Sequence, residues 1–144
     1  MDNQSSFPAY GGKQVNQLLT EHGILPTQQR TLIASALFSQ RRHLSADQVL
    51  GLVNEAEHRV SKATVYNTLG LFAKEGLVRE VIVDPSRVFY DPNVEAHHHF
   101  YNVDTGELTD IPAQDIAVSS LPKLPGGTLE EGVEVIVRLR DANH

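Results

Sequence analysis

Two serine-capped helical segments, followed at once by a proline turn between β-rich runs, leave few folds open to this chain. Ser45 and Gln48 have the spacing of a capping box, and Val49, Leu50, Leu52 and Val53 supply an apolar face behind them. Ser61 caps the next segment, Lys62 to Glu75, with Val65, Leu69 and Phe72 on one face and Gly76 as its stop. The turn around Glu57 to Val60 makes the pair a helix-turn-helix. Leu77 to Val83 and Arg87 to Asp91 then read as strands around Asp84-Pro85-Ser86, where proline fixes one dihedral and its polar neighbours bond backbone. That hairpin is a wing.

Upstream, Met1 to Gly12 lacks periodicity and reads as a flexible arm. A helix over Gln14 to His22 carries Val15, Leu18 and Leu19 at helical spacing, with Gly23 after it. Thr27 caps a second helix containing Leu32, Ile33, Ala36 and Leu37, with Arg30, Arg41 and Arg42 toward its ends. The first part of the chain, 13–91, is therefore expected to be a winged helix. Recognition helices place polar side chains in the major groove, and Lys62, Thr64, Tyr66, Asn67 and Thr68 offer donors, acceptors and a phenol for that purpose. An amphipathic helix with an ordinary solvated face is the plainer alternative.

The remainder, 92–144, reads as a small α/β unit: strands over His97 to Val103, Gly106 to Ile111 and Gly132 to Leu139, and a short helix over Asp115 to Leu121. The fold class is thus α+β. Val133, Val135, Val137 and Leu139 alternate as one apolar face, more than so small a unit can cover by itself, and a homodimer is expected to bury it. Three consecutive imidazoles at His97, His98 and His99 make a poor core segment and a good ligand cluster. On a strand, residues i and i+2 share a face, so His97 and His99 can meet one ion while His98 points away. Asp91 and Asp110 are the nearby acids, and neutral imidazole with carboxylate suits first-row transition metals. A purification tag would be longer and terminal.

Composition narrows the chemistry. The chain has no cysteine, so disulfides, thiolate zinc sites, iron–sulfur clusters and cysteine nucleophiles are excluded, and any metal must be held by nitrogen and oxygen. The net charge of −6 conceals an asymmetry: through Asp84 there are 8 Lys+Arg and 8 Asp+Glu, and beyond it 4 and 10. A neutral first part can set a few bases against phosphates, while the acidic second part suits cations. No apolar run approaches bilayer length and the first residues lack a secretory core, so the cytoplasm and no membrane partner are expected.

Four ordered motifs, GILPTQQR at Gly23 to Arg30, HLSADQV at His43 to Val49, ATVYNTL at Ala63 to Leu69, and Phe89 to His99 with its F-Y-D and H-H-H elements, resemble the ferric uptake regulator superfamily. The resemblance implies a regulatory metal site of His43, Asp91, His97, His99 and Asp110, a pattern similar to that of the peroxide-sensing branch and suited to Fe²⁺ or Mn²⁺, with Zn²⁺ also fitting. It implies that Ser61 to Glu75 is the recognition helix, with Tyr66 and Asn67 contacting DNA. Leu25 stands where members often carry a basic residue reaching the minor groove, so Arg30 or Lys13 would have to supply that charge.

The structural zinc of two CxxC pairs has no counterpart, because Asn102 and Thr105 stand at the places of the first pair. Of a second regulatory site only His98 can be placed. The missing cysteines, the HHH triplet, ELTDIP at Glu107 to Pro112 and VIVRLRD at Val135 to Asp141 are most similar to the iron response regulator branch. That likeness implies haem as a ligand of His97, His98 or His99, since imidazole is a suitable axial ligand. The expected function is an iron-responsive transcriptional regulator that binds double-stranded operator DNA as a homodimer. A non-haem iron enzyme and a metal-independent DNA-binding protein are the rivals.

Overall fold

The computed structural model describes residues 12–39, 43–55, 60–95 and 97–143. The arm expected over 1–12 (apart from Gly12), together with Arg41, Arg42, residues 57–59 with His58, and His144, lies outside the described residues. The chain divides into two compact units, 1–94 and 95–144. No helix among the described residues is long and apolar enough to cross a membrane.

The first unit contains helices α1 (Gly12–Glu21), α2 (Gln28–Phe38), α3 (Ala46–Asn54) and α4 (Lys62–Lys74), with strands β1 (Leu44–Ser45), β2 (Arg79–Asp84) and β3 (Arg87–Asp91). Helix ends follow the expected signals. Thr27 accepts the amide of Arg30 at the start of α2, and Ser45 with Gln48 forms a complete capping box on α3. Glycine ends α1 and α4 in the same way: Gly23 and Gly76 have φ of 76° and 80°. The residue after each bonds back into the last turn, Ile24 to Leu19 and Leu77 to Phe72, both at 2.9 Å. Leu77 and Val78, expected in a strand, are thereby drawn into the helix terminus and the core.

Val15, Leu19, Ile33, Leu37, Val49, Val65, Leu69 and Phe72 are fully buried in one cluster. The α3–α4 connection is clasped from both ends, since the Asn54 side chain accepts the amide of Val60 at 2.9 Å and donates to its carbonyl at 3.1 Å. β2 and β3 form the wing hairpin, its turn held by Asp84 accepting both amide and hydroxyl of Ser86. The two-residue β1, which the sequence reading missed, adds to the far edge of β3 in the order β1-β3-β2.

The second unit is a three-stranded sheet, β5-β4-β6, of β4 (His98–Asn102), β5 (Leu108–Ile111) and β6 (Ile136–Leu139). β4 pairs antiparallel with β5 and parallel with β6. Its far corner is tied without metal. Asn102 accepts the amides of Asp104 and Thr105 and donates to Asp141 at 3.0 Å, while the Asp141 amide returns to Asp104 at 2.8 Å. The expected helix over Asp115 to Leu121 is absent: a single 3₁₀ turn, Ala113–Asp115, is followed by irregular chain. Pro112 and Pro122 bracket the segment, Val118, Ser119 and Ser120 are weak helix formers, and only Ile116 is half-buried, so too little burial offsets nucleation.

Candidate metal centre

β1 and β3 set the first pair of ligating groups. Leu44 is paired with Tyr90, so the antiparallel register carries His43 opposite Asp91. Nε2 of His43 lies 2.9 Å from Oδ2 of Asp91, and both residues are buried. The other oxygen of Asp91 accepts the amide of Asn93 at 2.9 Å, which fixes the carboxylate.

In the second unit, β4 and β5 bring His99 directly opposite Asp110. Nε2 of His97 and Nε2 of His99 lie 3.1 Å and 3.4 Å from the same Asp110 oxygen, with the imidazole centroids 4.5 Å apart. Two rings at i and i+2 thus share one face, while His98 points to the other and takes the Val135 amide on Nδ1 at 2.9 Å. Nδ1 of His97 lies 2.6 Å from the Glu95 carbonyl, which can only accept, so that nitrogen bears a proton. Nδ1 of His99 lies 2.9 Å from Glu134. Glu134 is 35 residues from His99 in sequence and had no motif to mark it.

The donor chemistry fits a divalent cation. Two buried imidazole nitrogens converge on one carboxylate oxygen, a nitrogen and oxygen donor set that suits a first-row divalent ion. The reading of His97, His98 and His99 as one haem-binding set is not supported by this geometry. His98 faces away from its neighbours and its Nδ1 is occupied by a backbone amide.

Lys62, Tyr66 and Asn67 are exposed on α4. Thr68, expected on that face, is buried, because residues 65, 68, 69 and 72 form the inward stripe of the helix. Thr64 is half-buried and its hydroxyl accepts from Ser61, so it serves the helix start. The Tyr66 phenol donates to Asp47 of α3 at 3.1 Å. That hydrogen bond, then slight burial and the negative charge of Asp47, raise the Tyr66 pKa above its ordinary value. Lys62 lies 3.9 Å from the same carboxylate and 5.6 Å from the Tyr66 ring centre. Tyr90 is also raised, by burial first and then by Glu80 and Tyr66. Leu25 is 74% exposed, and Arg30 donates to its carbonyl at 2.8 Å; Lys13 is exposed on α1.

A winged helix followed by a small sheet carrying clustered histidines and carboxylates defines a narrow class. The chain belongs to the ferric uptake regulator family, whose sequence model matches residues 21–124. Among its relatives is the peroxide-responsive repressor PerR of Staphylococcus aureus strain Mu50, 32% identical over 92 residues. That match takes in 64% of this chain and 62% of the repressor, so the chain spans under two thirds of the length of such relatives. The ferric uptake regulator of Pseudomonas aeruginosa, solved with manganese, superposes with a TM-score of 0.66 at 26% identity, covering 88% of this chain and 97% of that one. The Vibrio cholerae ferric uptake regulator gives 0.69 at 20% identity, covering 88% and 98%, a likeness of fold. These matches establish the family and leave the iron response regulator branch undemonstrated.

Proposed function

We propose that the chain is a transcriptional regulator that binds double-stranded operator DNA as a homodimer, with its DNA affinity set by a bound divalent metal. The ion is held by His43 and Asp91 of the first unit together with His97, His99 and Asp110 of the second. Three imidazoles and two carboxylates suit Fe²⁺ or Mn²⁺, and Zn²⁺ is chemically acceptable. The observation that carries this reading is the convergence of His97 and His99 Nε2 on one Asp110 oxygen while their Nδ1 atoms already face acceptors. Family membership and the manganese bound by the Pseudomonas relative support it. The proposal assigns the chain no catalytic activity, and operator binding places it in the cytoplasm.

The DNA-facing residues are Lys62, Tyr66 and Asn67 of α4, with Thr64 at its start, and Lys13 and Arg30 supply charge to the backbone. Exposed Val118, Leu121, Leu124 and Leu129 in the second unit support a partner subunit. When bound, the metal supplies positive charge and fixed coordination. His43 and Asp91 belong to the DNA-binding unit and the other ligands do not, so ligation by all five selects one arrangement of the two units. Binding free energy then shifts the population toward the form that fits the operator.

Fluorescence anisotropy on candidate operators, at fixed salt, tests this directly. Mn²⁺ should tighten binding, chelator should abolish the gain, and His97→Ala with His99→Ala should remove the metal response while leaving weak, salt-sensitive binding. Equal affinity with metal and with chelator would refute the metal-dependent reading.

A further inference from the structure

Asp47 stands among the groups that the proposed function turns toward DNA, and it is an acid. It lies in the first turn of α3, where the helix dipole favours an anion. From there its Oδ1 accepts the Tyr66 hydroxyl at 3.1 Å and lies 3.9 Å from Nζ of Lys62, so two residues one turn apart on α4 meet a single oxygen of α3. Lys62 in turn sits 5.6 Å from the centre of the Tyr66 ring, which closes a cluster of three. The cluster is open to solvent: the Asp47 and Lys62 side chains are 68% and 66% exposed, and Tyr66 is 42% exposed. A carboxylate oxygen that collects a phenol proton and an ammonium on an exposed face takes the partners a backbone phosphate would take.

We propose that Asp47 is an internal stand-in for a DNA phosphate: it occupies Lys62 and Tyr66 in the free protein and lowers affinity for duplex DNA irrespective of sequence. This rests on the DNA-binding reading above. The phenol has one proton to give, so while Asp47 holds it Tyr66 cannot donate to a phosphate. Lys62 keeps its charge, but a carboxylate 3.9 Å away offsets part of the field that would meet the backbone. Binding to random duplex is almost wholly electrostatic, so one offset lysine is felt there directly. The contacts are exchangeable, because an exposed pair at this distance is weak and screened by salt, whereas a duplex presents closely spaced phosphates. Asp47 therefore sets a low baseline, from which a bound metal raises affinity.

The test uses the full chain and a labelled duplex of mixed sequence, with affinity measured across a salt series, once with Mn²⁺ and once with chelator. Asp47→Asn keeps an oxygen that can accept from the phenol and removes only the charge. It should tighten binding about two- to fivefold, the span of an exposed ion pair, and steepen the salt dependence by up to about one ion. Asp47→Ala, which also releases the phenol, should bind at least as tightly. In a Lys62→Ala background the gain from Asp47→Asn should shrink, because the lysine that the carboxylate offsets is gone. Affinity and salt slope equal to wild type in both Asp47 variants would overturn the proposal. A gain that Lys62→Ala leaves undiminished would overturn it too, by reducing Asp47 to one more surface charge. Wild-type protein that binds no duplex with Mn²⁺ or with chelator, even at low salt, would instead refute the DNA-binding reading itself. Wild-type binding that the Asp47 variants leave unaltered refutes only the role of Asp47.

Discussion

At the scale of the residue, Tyr66 and Asp47 show how a surface contact tunes a proposed DNA-binding group. The phenol donates only while protonated, so the contact holds Tyr66 neutral and its pKa is raised. The sign follows: whatever the contact contributes is complete below the ordinary tyrosine pKa and is lost as pH rises through the folded-state value. Asp47→Asn should therefore bring Tyr66 ionisation back toward the ordinary value. The check is a phenolate absorbance titration of each protein against its Tyr66→Phe counterpart, with an unshifted curve as the contrary result. Side chains also mark the limits of sequence reading. That His97 and His99 share a face follows from the two-residue period of a strand. That Glu134 lies beside His99 does not, because the contact arises from parallel pairing of β4 with β6, which local periodicity cannot encode.

At the scale of the element, local chemistry decided most boundaries in the first unit. Caps at Thr27, Ser45 and Ser61 and left-handed glycines at Gly23 and Gly76 each satisfy backbone groups within a few residues, so a single sequence suffices to place them. Ser45→Ala should remove half of the capping box and cost about 1 kcal/mol in denaturant unfolding, with the slope unchanged. The second unit was less legible. Its expected helix beyond Asp115 met no tertiary partner, and β1 exists only because β3 offers it an edge. Thr68 failed as a DNA-contacting residue for a related reason: α4 buries a stripe wider than the three apolar positions the sequence marks. At the candidate metal centre the ligand-type residues were visible in advance, whereas the groups beside their other ring nitrogens were not.

At the scale of the whole molecule, a metal that binds only the folded chain must also stabilise it. With Mn²⁺ at a hundredfold excess over its dissociation constant, the gain should be roughly 2.7 kcal/mol, read as an upward shift in thermal midpoint. His97→Ala should lose that shift while keeping a cooperative transition. A shift of equal size in both proteins would place the ion elsewhere. Charge acts on the same scale: the acid excess beyond Asp84 favours a cation in the second unit, and the balanced charge before it does not oppose the proposed DNA contacts.

The corner built by Asn102, Asp104 and Asp141 has a consequence for how such a protein can be switched off. Where thiolates hold zinc, oxidants and strong chelators attack the scaffold and the signal together, and loss of response can be loss of structure. Here amide and carboxylate hydrogen bonds close that corner, and the chain offers no sulfhydryl for peroxide to consume. Stripping the ion should therefore leave a soluble, folded, re-loadable protein, indifferent to reductant. Repeated cycles of chelation and metal return, followed by circular dichroism and Mn²⁺ affinity, should show no cumulative loss. In such a chain, loss of response to the metal need not be loss of structure.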